Sequence, residues 1–380
     1  MKKVVIIGGG TAGTMMANAL AKGMGEKLKN GDVSVTMISD KKEHLYQPGL
    51  LYIPFGLKTE EEIIRPVKEV VSPLIDIVFD EATQFSTEQK QVKTKSGKTF
   101  SYDYLIIATG SRPAVEEVPG LEEAGHIFYT LDGAKKLQKA MEEFEGGNVV
   151  MAVGLPHKCP VAPLEFTMMF DDWAREKGIR EKTNITYCYP LQKPYGTESV
   201  AKLATKEYTE RNINIETFFM IDHVDAEKKE VVALDDTRVP FDLLVMIPPH
   251  KGADVTVKSS LTDNDEGWLP TDRQYLNHVD HDNIFVIGDA TNLPISKAGS
   301  TAHFEVEILA ENLISMIDGG QANKRYNGKV FCFIETGLHK ATYIAFNYEQ
   351  PPKPVTPSKA VHWAKLSYNN AHWINLKGIL

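Results

Sequence analysis

Cys159 stands in the run Gly154-Leu155-Pro156-His157-Lys158-Cys159-Pro160-Val161-Ala162-Pro163. Pro163 suits the first turn of a helix, which is expected over about 164–177. The cysteine then sits just before a helix N-terminus, beside a histidine and a lysine. All three features favour the thiolate, the form that acts as nucleophile. The bland alternative is a small buried hydrophobe, as an ordinary cysteine is. Glu165, in the first turn of the same helix, is a candidate proton carrier; a charge favoured there by the helix dipole is an equal reading. Cys332 lies in the strand-like run Val330-Phe331-Cys332-Phe333-Ile334, and Cys188 in Ile185-Thr186-Tyr187-Cys188-Tyr189, where it reads as strand core.

The elements that position these groups begin at the N-terminal end. Val4-Val5-Ile6-Ile7 reads as a buried parallel strand, followed by Gly8-Gly9-Gly10-Thr11-Ala12-Gly13 and a helix from Thr14 to Gly23. A second strand, Val33 to Ile38, ends at Ser39-Asp40. A G-x-G-x-x-G between strand and helix, with an acid closing the next strand, is the arrangement that binds a dinucleotide. Gly8, Gly10 and Gly13 let backbone approach a pyrophosphate at the helix N-terminus, where Thr11 and Ala12 also lie, and Asp40 can hydrogen-bond a ribose hydroxyl. Two later strands end in Ala108-Thr109-Gly110 and Gly288-Asp289-Ala290.

The sequence also echoes itself: Tyr102-Asp103-Tyr104-Leu105-Ile106-Ile107 parallels Phe241-Asp242-Leu243-Leu244-Val245-Met246. Each would close one dinucleotide-type fold. The second fold opens near Asn148 with Val149-Val150-Met151-Ala152-Val153-Gly154, but prolines and bulky side chains replace its remaining glycines. A pyrophosphate could not settle on that backbone, and the lost motif tips Cys159 towards a redox role.

Bulk properties bound the answer. The chain has 380 residues, 42% hydrophobic and 24% charged, enough for two or three ordinary globular domains. A net charge of −9 argues against nucleic acid as a partner. Three cysteines are too few for a secreted disulfide framework. No secretory segment precedes the first strand and no apolar run is long enough to span a bilayer, so a cytoplasmic location is expected.

With its three separated motifs in this order, the sequence resembles the two-dinucleotide-fold flavoproteins of the pyridine nucleotide–disulfide oxidoreductase superfamily. The resemblance implies FAD, with Thr109 and Gly110 at the exit of its domain and Gly288 and Asp289 at its ribityl–phosphate portion. The glycine-poor second fold with one cysteine, and a second cysteine late in the chain, sharpens the likeness to the sulfide:quinone oxidoreductases. So do Leu293-Pro294-Ile295-Ser296-Lys297 and the segment Gly337 to Tyr348. That family's two cysteines map onto Cys159 and Cys332. Many members have a further cysteine where this chain has Phe128 and its neighbours, so the resemblance implies a two-cysteine centre here. It further implies that Pro48, in His44-Leu45-Tyr46-Gln47-Pro48-Gly49, runs against the flavin ring. Lys297 and Lys340 could stabilise the reduced flavin, an exposed lysine being the default reading of each.

The expected fold class is α/β: two Rossmann-like folds plus a small C-terminal α+β domain with amphipathic helices. The domains expected are 1–112 with 255–325 for FAD, 113–254 carrying Cys159, and 326–380. After Glu349 the tail holds no acid. It interleaves Lys353, Lys359, Lys365 and Lys377 with Trp363, Tyr368, Trp373, Val361, Leu366, Ile374, Leu376, Ile379 and Leu380. This reads as one or two amphipathic helices in peripheral contact with a membrane, or else packed on the protein itself. The expected partners are sulfide and a quinone, and a homo-oligomer remains open. Three rivals stay open: a sulfide dehydrogenase that serves a haem protein, a type II NADH dehydrogenase, and a non-enzymatic flavin sensor.

Overall fold

The computed structural model describes residues 1–378; Ile379 and Leu380 of the tail lie outside the described residues. The apolar run Lys2–Ile7 forms β1, and helix α1 follows over Thr11–Gly23. The helix starts three residues earlier than the sequence suggests, because the last glycine of the motif belongs to its first turn. Strands β2 (Val33–Ser39), β3 (Asp76–Phe79) and β4 (Tyr104–Ile107) pair in parallel around β1. A four-stranded parallel sheet follows in the chain. It contains β5 (Gly147–Val153), β6 (Thr183–Cys188), β7 (Asn214–Glu216) and β8 (Leu243–Ile247), in the order β7-β6-β5-β8. Helix α2 (Ala162–Glu176) leaves β5 through the Cys159 loop, with its proline in the first turn, where the missing N–H costs nothing.

The chain then returns to the first sheet. Strands β9 (Asn277–His278) and β10 (His281–Val286) complete it in the order β9-β10-β4-β1-β2-β3. The echoed segments are thus β4, inside the first sheet, and β8, at one edge of the second. Their strands read as continuous apolar runs because both faces are covered. Helix α3 (Gly299–Ile317) packs on α1. An antiparallel hairpin closes the fold, β11 (Val330–Glu335) with β12 (Ala341–Phe346); helix α4 (Lys359–Asn370) packs on it, and α5 (His372–Asn375) follows. Among the described residues no helix is long and apolar enough to cross a membrane.

The last segment turns back onto the first fold. Asn18 of α1 donates to Leu376 O at 2.6 Å and Lys22 Nζ donates to Gly378 O at 2.8 Å. One side of the α5 segment is therefore packed on the protein itself. Leu376 is buried in the core around β1 and α1.

Candidate functional site

The glycine loop is closed on one side and open on the other. Gly8 holds φ +111°, and a Cβ there would run into the Ala108 carbonyl; one at Gly13 would overlap the carbonyl of Gly8. A Cβ at Gly10, by contrast, would meet open space, as would one at Gly110. The loop is pressed against its own sheet and presents backbone outward at α1's N-terminus, where Thr11 stands and Ala12 is buried. Ala12 Cβ lies 3.1 Å from where a Cβ of Gly288 would stand, so the glycine loop and the Gly-Asp-Ala turn meet. In the exit turn, Thr109 Oγ1 and Ser111 Oγ are buried with no hydrogen-bond partner. Orphaned buried donors are costly and call for an occupant. An open cradle at a helix N-terminus, flanked by two orphaned hydroxyls, fits a dinucleotide.

Other expected contacts are distributed unevenly. Asp40 is exposed and free to reach a ribose, beyond an ion pair with Lys41 at 3.5 Å. Ser39 is buried, and its hydroxyl donates to Lys41 O at 2.8 Å, so it shapes the turn under Gly9. Pro48 is exposed in a short 3-10 turn over Gln47–Leu51. Lys297 is drawn inward, with its ammonium bonded to Asp289 O (3.1 Å) and Thr291 O (2.5 Å) and 4.1 Å from the Trp268 ring centre. Lys340 stays exposed.

Cys159 and Cys332 converge beside the start of α3. The Cys159 N–H donates to Lys297 O at 2.8 Å, and the Ser300 hydroxyl meets the Cys332 thiol while accepting the Phe331 N–H at 3.3 Å. Both are free thiols packed against one apolar core. Cys159 adopts φ +48°, a left-handed conformation that disfavours side chains. It is pinned there from three sides, because Ala162 N–H and the Tyr129 hydroxyl both donate to its carbonyl, at 3.1 and 3.0 Å. Strain held by so many contacts is typical of functional positions.

The expectation that Cys159 is an activated thiolate needs correction. Burial, and then the neighbouring Glu165 carboxylate, push its thiol up to about 12, and Lys365 and the Ala162 N–H offset this only in part. The two flanking residues do not help. His157 turns its ring to Lys158 O (3.0 Å), and Lys158 points its ammonium at Gln47 Oε1 (2.7 Å) and Ser111 O (3.3 Å). Sequence adjacency placed the cations near the sulfur; the loop's backbone aims them elsewhere. Burial raises the Cys332 thiol as well. Cys188 is buried in β6, as a core residue should be. Phe128 is buried and stacks on Phe166, ring centres 5.1 Å apart.

At the first turn of the second fold the chain packs closely on its own prolines. A Cβ at Gly154 would press on Pro249 at 2.7 Å, and His250 N–H donates to Pro156 O at 2.6 Å.

Glu165 is no surface helix charge. It is buried, accepts Glu335 N–H at 2.8 Å, and pairs with Lys365 of α4. Burial raises the Glu165 carboxyl above its usual range. Burial alone would lower Lys365, yet Glu165, Tyr52 and Glu335 together hold it well above its ordinary value. Lys365 also lies 3.8 Å from Glu335, whose two oxygens accept from Tyr52 OH (2.8 Å) and meet His362 Nδ1 (2.9 Å). Lys365, read from the sequence as one of the tail's interfacial lysines, is thus an interior cation. Sequence reading missed Glu335, His362 and Tyr52. The available signal was His362 and Lys365 at i, i+3, which share a helix face.

Next to this network, Phe331, Phe333, Tyr343, Ala360, Val361 and Ala364 line an apolar groove of about 400 Å³. Alternation along β11 separates two environments. Cys332 faces the core with Ile334, while Phe331, Phe333 and Glu335 face α4, where Tyr368 stands 5.7 Å from Phe333.

A second buried pair ties α5 to the glycine loop. His44 and His372 face each other at Nε2···Nε2 3.2 Å, and His44 Nδ1 meets Gly9 O at 3.1 Å. Two imidazoles at this distance can share only one proton between them. Burial lowers His44 to about 4 and His372 to about 3, the latter helped by His44 and Arg65. The unfolded chain, with histidines near 6.5, binds more protons than the folded one between those values. Stability is therefore lost as pH falls from about 6.5 towards 4, by on the order of a few kcal/mol for the pair. His157 and His250, lowered to about 4 and about 3 by burial, act in the same direction. Urea unfolding at pH 7 and pH 5 checks this. His44→Gln with His372→Gln should flatten the pH dependence, and an unchanged slope would refute the assignment.

Comparison with known proteins matches this geometry. The pyridine nucleotide-disulphide oxidoreductase family matches residues 2–306. Mitochondrial sulfide:quinone oxidoreductase of Dictyostelium discoideum is 30% identical over 91% of this chain and 78% of the relative; that of Mus musculus is 28% identical over 93% and 80%. The structure of the Aquifex aeolicus sulfide:quinone oxidoreductase superposes with a TM-score of 0.88 at 23% identity, covering 100% of this chain and 92% of the other. With two Rossmann-type sheets, a flavin-type cradle and this likeness along nearly its whole length, the chain belongs to the pyridine nucleotide-disulphide oxidoreductase family and, within it, to the sulfide:quinone oxidoreductases.

Proposed function

We propose that the protein oxidises sulfide to sulfane sulfur at Cys159 and Cys332 and passes two electrons through FAD to a quinone. The observation that carries this reading is the convergence of the two cysteines at the start of α3, beside the turn that meets the glycine loop. On this reading residues 1–112 and 255–325 hold FAD, 113–254 present Cys159, and 326–380 present Cys332 and the quinone groove.

Hydrosulfide attacks an oxidised Cys159–Cys332 link. A new S–S bond forms as the old one breaks, one cysteine carries the persulfide, and the other departs as thiolate. A bound FAD would supply the two-electron acceptor: as the thiolate bonds the persulfide sulfur, a proton and an electron pair leave, and the pair would pass on to the quinone. Burial opposes a free thiolate at either position and favours the neutral forms, thiol or S–S link. Lys365 and the Ala162 N–H stabilise the departing thiolate at Cys159, and Ser300 does so at Cys332. Glu165 carries a proton near the sulfur centre. The apolar groove over β11 takes the quinone ring, on the strand face opposite Cys332.

Anaerobic stopped-flow of the FAD-loaded protein with sulfide, then decylubiquinone, tests this. Sulfide should bleach the flavin and quinone should restore it. Bleaching by NADH with none by sulfide would give the dehydrogenase reading instead.

Peripheral membrane contact on the cytoplasmic side is part of the proposal. Trp363 (66% exposed), Tyr368 and Ile374 stand out from α4 and α5, with Lys359 and Lys377 exposed beside them. Aromatic and basic residues together suit an interface. Trp363→Ala should weaken binding to anionic vesicles on the order of tenfold, as loss of one buried aromatic implies. Sedimentation with vesicles measures it, and equal binding would remove Trp363 from the interface.

A further inference from the structure

Reducing a quinone consumes two protons, and the groove that would hold it is lined by apolar side chains. The protons must come through the protein. We propose that His362 is the water-side entry of a proton relay that reloads Glu335; this rests on the reading above that a quinone occupies the groove.

The geometry is continuous. His362 Nδ1 stands 2.9 Å from Glu335 Oε2, Lys365 lies 3.8 Å from Glu335 Oε1, and Lys365 bonds Glu165 directly. Side-chain exposure is highest at His362, 13%, against 0% at Glu335, 8% at Lys365 and 4% at Glu165. His362 is therefore the member that water reaches. Glu335 lies on the strand face of Phe331 and Phe333, next to the groove, and Val361 and Ala364 of α4 bracket His362 in the chain. His362 faces Glu335 from β11 and the Trp363 ring, 6.1 Å away; behind Glu335 stand Tyr52 and Lys365, and behind Lys365 stands Glu165 from α2. One carboxylate in direct contact and a cation behind it suit a histidine that takes a proton from water and passes it on. The balance is simple: an N–H bond formed at His362 is broken as a carboxyl O–H forms at Glu335. The quinone oxygens take two such protons as two electrons arrive.

The test uses the FAD-loaded protein reduced with dithionite and mixed with decylubiquinone. In His362→Gln, which keeps a polar contact with Glu335 but cannot titrate, flavin reoxidation should slow by on the order of 10²-fold, as loss of a proton-transfer group does. Quinone KM should hold and the solvent deuterium effect should grow. In His362→Ala, added imidazole should restore much of the rate. Reoxidation within twofold of wild type in both variants, without an imidazole effect, would overturn the relay, as would a wild type that quinone does not reoxidise. Quinone reoxidation with no bleaching by sulfide would remove only the sulfide reading and leave the relay standing.

Discussion

Cys332→Ser should abolish bleaching of the flavin by sulfide, by on the order of 10³-fold or more, as loss of a covalent partner does. Dithionite should still bleach it. Serine is nearly isosteric, and Ser300 already offers the site a hydroxyl partner, so the fold should tolerate the exchange. Cys159→Ser should do the same, because neither cysteine can form or break the link alone. Cys188→Ser should leave sulfide oxidation intact, since that side chain is buried in the second sheet's core. Stopped-flow with sulfide alone decides the matter. Bleaching within tenfold of wild type in either active-site variant would sink the two-cysteine centre, whatever the quinone step does.

Lys365→Met should be the most destabilising single change in the C-terminal part. It strips the cation from two interior carboxylates, Glu165 and Glu335. Removing one partner of a buried pair costs about 3–5 kcal/mol. The loss should depend on pH with a definite sign. A carboxyl whose folded pKa is raised destabilises the fold above that pKa, and the penalty fades as pH falls and the group protonates. Thermal melts of Lys365→Met should therefore recover towards wild type in acid, and Glu165→Gln in the same chain should recover much of the loss at pH 7. A melt unchanged by Lys365→Met would mean that the pair is hydrated and carries little.

The two folds were legible because glycine and apolar runs speak locally. Gly8, Gly10 and Gly13 sit between a strand and a helix, and only one arrangement suits them; β4 and β8 repeat one pattern. The convergence of Cys159 and Cys332 entered through family resemblance, since nothing local in β11 points to residue 159. The charge state of Cys159 was misread because adjacency in sequence says nothing about where His157 and Lys158 aim. The tail was half legible. Its aromatics and lysines alternate as an interfacial helix would, yet Lys365 and His372 point inward to partners in α2 and beside β2. Interior charge pairs of this kind join distant segments, so no window of sequence contains both halves.

The threading of the sheets sets an order of assembly on the ribosome. Strands β5 to β8 emerge together and can pair as soon as they leave the exit tunnel. The first sheet, by contrast, must wait with the edge of β4 unpaired until β10 arrives, and the histidine contact under Gly9 waits for residue 372. The fold that begins first is finished last. Cofactor loading is thereby placed at the end of synthesis, and a nascent chain stalled before β10 exposes a bare strand edge of the kind that chaperones bind.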